Sequence, residues 1–208
     1  MKGTKKTDPR ILRTRHLIRD AFVQLLQERD IEKITVNSIA ERATINRVTF
    51  YLHYRDIPDM LEKVADDMIE DIVQALNRTP VDDNTRDGGY WPKMVQFIEH
   101  IAEQAEFYKA ILAVKRTPIF MERLLILVTD KMEENLEKKG SSSFISKAGI
   151  PTDIAMWYVS SALFGTIIGW LRNDMPYSPH YLAKQFYQLL PGKGEPGPYK
   201  HDFRSYKK

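Results

Sequence analysis

The chain has 208 residues, enough for one large domain or two small ones sharing a core, and its 43% hydrophobic content calls for a packed interior rather than disorder. Cysteine is absent, which excludes disulfides, thiolate zinc sites, catalytic thiols and thiol redox sensing. The net charge is only +3, yet residues 1–63 hold thirteen basic against nine acidic residues, and residues 1–19 carry seven Lys or Arg against Asp8 alone. A basic arm of this kind suits attraction to phosphates. Met1 to Lys6 contains no apolar run of the secretory type, so the expected location is cytoplasmic.

Residues 10–29 space Ile11, Leu17, Ile18, Ala21, Phe22, Leu25 and Leu26 along one face of a first helix. Thr35 predicts the N-cap of a second helix, which runs to about Ala43 and turns Val36, Ile39, Ala40 and Ala43 inward. Asn46 is the next N-cap, for a short third helix from Arg47 to about His53. Two short helices meeting at a tight joint over residues 35–54 have the form of a helix-turn-helix. Asp56 caps a fourth helix, with Pro58 in its first turn where the missing N–H is harmless, and this helix reaches about Asn77. Residues 78–90 are rich in turn formers and are expected to be a flexible loop. Further helical patterns lie near 91–104, 106–115 and 118–139. The stretch from Leu124 to Val128 is apolar all round, which predicts a helix buried on every side. After Gly140 and a Ser-rich loop, Pro151 and Thr152 open a helix over about 152–173, Pro176 breaks it, and Ser178 starts the last helix. Residues 191–208 are expected to form a disordered tail.

No segment alternates with period two. The expected fold class is therefore all-α with about nine helices: a helix-turn-helix domain over residues 10–55, a helical regulatory and dimerisation domain over 56–190, and the tail.

The third helix can be placed on a wheel at about 100° per residue. With Phe50 inward, Tyr54 lies about 40° away and joins it in the core. Val48 and Leu52 then face out, flanked by Thr49 and Tyr51, with Arg47 on the first turn. Arg47 suits guanine O6 and N7 or a phosphate, Thr49 a base edge, and Val48 a thymine methyl. Tyr51 and His53 suit phosphates, as do Thr35 and Asn37 at the start of the second helix. The expected partner is thus a double-stranded DNA operator.

Residues 154–171 carry no charge over eighteen positions, near the lower limit for spanning a bilayer. Their hydroxyls and glycines, in a chain of amphipathic helices, favour a buried soluble helix, and no membrane partner is expected. Ser161, Gly165 and Gly169 recur every four residues and leave one face nearly bare, which lets another helix approach closely. That neighbour is either another helix of the same chain or the twin helix of a homodimer. The dimer is the expected choice, because a helix-turn-helix usually reads two half-sites.

At these residues the chain resembles the TetR family of bacterial transcriptional regulators. The family pattern is Thr-Val-x-x-Ile-Ala-x-x-Ala-Gly-Val-Ser-x-Gly-Thr-Phe-Tyr-x-His-Phe. Here it reads Thr35-Val36, Ile39-Ala40, Ala43, Ile45, Asn46, Thr49-Phe50-Tyr51, His53 and Tyr54, within a match over about residues 13–63. The run from Phe164 to Trp170 is similar to one C-terminal subgroup. The chain departs from the pattern at Thr44 (the turn glycine), at Val48 (the recognition-helix glycine) and at Ile57 (a lysine), leaving Arg55 as a substitute phosphate contact. The resemblance implies nine or ten helices, a homodimer joined through the last two long helices, and repression relieved by a small-molecule effector. It also implies a pocket among the fourth to eighth helices. Candidates to line it are Trp91, Phe97, Phe107, Tyr108, Phe120, Met121, Trp157, Tyr158 and Phe164, which would make an apolar or aromatic site.

Control by a protein partner, or activation instead of repression, stays open as an alternative. So does a DNA-coating role without operator choice. An enzyme is not expected: there is no glycine-rich phosphate loop, no Ser-His-Asp arrangement and no carboxylate pair in a plausible cleft. Five scattered histidines without cysteine make no metal site, and no cofactor is expected.

Overall fold

A computed structural model describes residues 8–78, 90–114, 117–139 and 144–189. Most of the loop expected at 78–90, the tail expected from 191, and Lys2, Lys5 and Lys6 of the basic arm lie outside the described residues. Among the described residues ten α-helices follow in order: α1 (Pro9–Glu28), α2 (Val36–Arg42), α3 (Arg47–His53), α4 (Ile57–Leu76), α5 (Tyr90–Glu103), α6 (Ala105–Tyr108), α7 (Pro118–Lys139), α8 (Phe144–Lys147), α9 (Thr152–Arg172) and α10 (Pro179–Leu189). A short 3-10 turn at Ile31–Lys33 joins α1 to α2, and a π-helical segment, Lys109–Val114, continues α6. No strand occurs among the described residues.

The helix starts follow their capping residues. Asp8 accepts from the Arg10 N–H at 2.9 Å, and Asn46 Oδ1 accepts from the Val48 N–H at 2.8 Å. Asp56 Oδ1 accepts from the Asp59 N–H at 2.8 Å. Thr35 and Ser38 form a reciprocal capping box, each side chain accepting from the other's backbone N–H. The end of α2 closes as a Schellman motif: the Ile45 N–H reaches the Ala40 carbonyl at 2.9 Å and the Thr44 N–H the Glu41 carbonyl at 3.1 Å. This closure puts Thr44 at φ 55°, a left-handed conformation that costs a β-branched residue.

One hydrophobic cluster runs from Ile18 in α1 to Tyr187 in α10. In α1 the buried set is Ile18, Ala21, Phe22, Val23, Leu25 and Leu26. Ile11 and Leu17, expected on the same inward face, stay about two-fifths exposed, and the buried face of α1 begins at Ile18. α5 packs on α10, and α7 lies against α4, the π segment and α9.

Three expectations change. The helix expected over 106–115 is instead α6 followed by the π segment, and the four-residue α8 had no counterpart. The stretch from Leu124 to Val128 is not buried all round: Leu124 and Leu127 are buried, but Leu125 and Ile126 are 43% and 48% exposed. The reason is that α7 meets its neighbours on one side only. Among the described helices α9 alone is long and apolar enough to cross a membrane by length and composition. It nevertheless sends Ala155, Met156, Leu163, Phe164, Ile167, Trp170 and Leu171 into the protein core.

Candidate nucleic-acid interface and effector cavity

α3 is a seven-residue helix held from below. Phe50 and Tyr54 are 0% and 1% exposed, and their rings lie 5.5 Å apart. Burial pushes the Tyr54 phenol up to about 12, so it stays neutral. On the outward side Val48, Tyr51 and Leu52 are 66%, 47% and 78% exposed. The Arg47 guanidinium lies over the Tyr51 ring, 5.5 Å from its centroid, and Tyr51 meets Phe50 edge-on at 5.7 Å. The cation and the phenol are therefore pre-positioned together on the exposed face, anchored through Phe50 to the core. Thr49 is half-buried at the edge of that face.

Two ion-pair clusters fix the angles around α3. Arg42 of α2 donates to both carboxylate oxygens of Glu28 at 2.8 Å each, which ties α2 to the end of α1 and lowers the Glu28 pKa. Between α3 and α4, Asp59 accepts from the Arg55 N–H at 3.0 Å, the Arg55 Nε at 3.2 Å and the Lys63 Nζ at 2.9 Å. Lys63 also donates to the His53 carbonyl at 3.1 Å, satisfying the end of α3. Lys63, and then the Arg55 N–H, hold the Asp59 carboxyl down at about 2. Burial, reinforced by Arg15 and Lys63, lowers the His53 pKa. Arg55 keeps its side chain 84% exposed while anchored to Asp59. Thr35 and Asn46 are exposed, but one side-chain oxygen of each is engaged in its own cap; Asn37 is exposed.

A cavity of about 130 Å³ opens between α4, α5, α7 and α9. Its apolar walls come from Leu76, Met94, Phe97, Leu127, Val128 and Leu163, with Met132 and Val159 beside them. Lys93 on α5 and Lys131, Glu134 and Asn135 on α7 supply its polar groups. Of the aromatic residues expected to line a pocket, Phe97 does so. Trp91 instead packs edge-on against His180 and Tyr187 at 5.3 and 5.6 Å. Phe107 and Phe120 meet edge-on at 5.9 Å in the core, and Phe164 is a core residue 6% exposed. Tyr108 is buried with its hydroxyl 3.0 Å from His100 Nε2, and Met121 packs at the core edge. Trp157 and Tyr158 are 66% and 63% exposed on the far side of α9. The spacing of Leu127, Val128, Lys131, Met132 and Asn135, one stripe of α7, is the pattern that marks the wall.

His100 is thus a buried core histidine, its pKa lowered by burial. Among the described residues no group of three or more potential metal ligands comes together.

The outer face of α9 carries Ile154, Trp157, Tyr158, Ser161 and Gly165, all exposed, with Gly169 half-buried. A Cβ placed on Gly165 or Gly169 would meet nothing within 4 Å. Packing among the described residues therefore does not require these glycines.

Comparison with known proteins agrees with this geometry. Residues 18–64 match the N-terminal region of bacterial regulatory proteins of the tetR family, and residues 90–192 match a transcriptional regulator C-terminal region. An uncharacterised HTH-type transcriptional regulator of Bacillus subtilis, YxbF, is 23% identical over 85% of this chain, which spans 44% of that relative's length. A TetR transcriptional regulator from Streptococcus agalactiae is 26% identical, with a TM-score of 0.61 over 86% of this chain and 94% of that one. The regulator FadR of Bacillus subtilis, solved with stearoyl-CoA, is 17% identical, with a TM-score of 0.54 over 84% and 96% of the two chains. With a helix-turn-helix followed by a helical body, and with both regions matched, this chain belongs to the TetR family of DNA-binding transcriptional regulators, which are not enzymes.

Proposed function

We propose that the protein is a homodimeric, operator-specific repressor that leaves its operator when a small molecule occupies the cavity beside α4. The observation that carries this reading is the outward face of α3, where Arg47 and Tyr51 stack together beside Val48 and Leu52 on a helix locked from below. In this reading Arg47 takes a guanine edge or a phosphate, Thr49 a base edge and Val48 a thymine methyl. Tyr51, His53 and Arg55 hold phosphates on one side, with Thr35, Asn37 and Asn46 at the two helix starts on the other. The DNA target makes the protein cytoplasmic.

The outer face of α9 supports the dimer. Ser161, Gly165 and Gly169 leave room that the chain itself does not fill, flanked by the exposed rings of Trp157 and Tyr158. The effector reading rests on the position of the cavity. Its walls include Leu76 near the end of α4, while the start of α4 is joined to α3 through Asp59, Arg55 and Lys63. An occupant that tilts α4 changes the spacing of the two recognition helices and shifts the population between two dimer forms. FadR, of similar fold, carries an acyl-CoA, which supports a small-molecule effector.

The test is to incubate the protein with sheared genomic DNA at physiological salt and sequence what is retained, with Tyr51→Ala alongside. The expected result is a few enriched pseudo-palindromes that the variant loses. Uniform retention by both proteins would overturn operator choice and leave only a general DNA clamp.

A further inference from the structure

We infer that the effector is a small monoanion with an apolar body, such as an aromatic or short alkyl carboxylate; this rests on the reading of the α4–α5–α7–α9 cavity as the effector site. The charge arithmetic of the cavity carries it. Lys131 lies 2.9 and 3.0 Å from the two carboxylate oxygens of Glu134, so this ammonium already has a carboxylate partner. Lys93, on the opposite helix, has no hydrogen bond or ion pair with a described residue. Among the described residues, then, one ammonium of the cavity stands without a carboxylate partner, beside the apolar walls of Phe97 and Leu163. A carboxylate entering there gives Lys93 a charged partner that no described residue supplies, with the Asn135 amide as a second donor. A cation entering meets Lys93 and is repelled.

The volume limits the apolar part. About 130 Å³ is close to the roughly 150 Å³ cavity that holds a benzene molecule, and well below the ~300 Å³ at the lower end of drug-sized sites. One ring or a short alkyl chain fills it.

The experiment is calorimetric titration of the intact protein with two matched pairs, benzoate against benzyl alcohol and hexanoate against hexanol, at pH 7. Each carboxylate is expected to bind at least ~10-fold more tightly than its alcohol, as one charge-assisted contact allows. In Lys93→Gln, which keeps a polar side chain at the cavity wall and removes its charge, the preference should vanish while alcohol binding stays the same. Equal affinities in the wild type, or a preference that survives Lys93→Gln, would overturn the anion assignment and leave the cavity as the effector site. Binding that is absent for all four compounds, or unaffected by Met132→Trp in a protein of unchanged circular dichroism, would overturn the cavity reading and the anion assignment with it.

Discussion

α3 and α9 both hold large apolar side chains in solvent, and they differ in what surrounds those side chains. On α3, Val48, Tyr51 and Leu52 stand among Arg47, His53 and Arg55. On α9, Ile154, Trp157 and Tyr158 lead into Ser161 and Gly165, with no charge between Asp153 and Arg172. Cations and hydroxyls answer phosphates and base edges, whereas an aromatic, charge-poor patch beside small residues answers another protein surface. Exposure alone would put the two faces in one class; the charge pattern separates them.

The comparison breaks most sharply at the α3 anchor. Phe50→Ala removes a fully buried ring and is expected to cost about 3–5 kcal/mol in urea unfolding. If the loss is below about 1 kcal/mol, α3 is not held from beneath as described. Gly165→Leu probes the other face. Within one protomer the new Cβ meets nothing within 4 Å and leucine has the better helix propensity, so the isolated subunit gains up to ~1 kcal/mol. Across a close helix pair it costs at least about 2 kcal/mol of association, read as a shift to monomer in sedimentation. A stabilised protein with unchanged oligomeric state would remove the α9 face from the dimer reading.

Smaller effects sharpen the α3 side. Thr44→Gly relieves a left-handed β-branched residue at the helix-turn-helix joint, and should raise stability by about 1 kcal/mol with no loss of DNA affinity. Asp59 sets an acid limit on the α3–α4 joint. Its folded pKa, about 2, lies below the ordinary 3.8, so its contribution is fully present above pH 3.8 and is lost as pH falls toward 2. Asp59→Asn should lower stability at pH 6 and flatten its decline between pH 4 and 2. A decline of unchanged steepness would show that other carboxylates govern the acid transition.

Much of the first 76 residues was legible because their signals are local. N-caps at Thr35, Asn46 and Asp56 bind backbone groups two or three residues away, and the wheel through Phe50 needs only one helix. The positions of Leu125 and Ile126 were misread because burial on all sides depends on how many helices surround α7, which no local pattern records. The cavity opens among the helices that the resemblance implies, including the one over 152–173, and of the rings expected in its wall Phe97 is the one there. Large rings such as Trp91, Phe107 and Phe120 fill space against each other, and gaps open instead beside slimmer residues such as Leu127, Val128 and Leu163. The π segment escaped because Lys109–Val114 has the composition of an ordinary helix, and its wider winding goes with tertiary ties: Arg172 donates to the Ala113 carbonyl at 3.0 Å, and Lys109 pairs with Asp174.

α1 belongs to two structures at once. It floors the helix-turn-helix with Phe22 and Leu25, while Arg19 sits over Phe107 at 5.3 Å and reaches Asp71, and Gln27 donates to Glu106 at 3.2 Å. Recombination between regulators is therefore constrained in where it can cut. A reading head transplanted with α1 attached brings polar and apolar partners that its new body must match. One transplanted without α1 loses its floor. Exchange of operator preference by single substitutions on α3 is the easier evolutionary route, since Arg47, Val48 and Leu52 stand in solvent and can change while the Phe50–Tyr54 anchor beneath them stays.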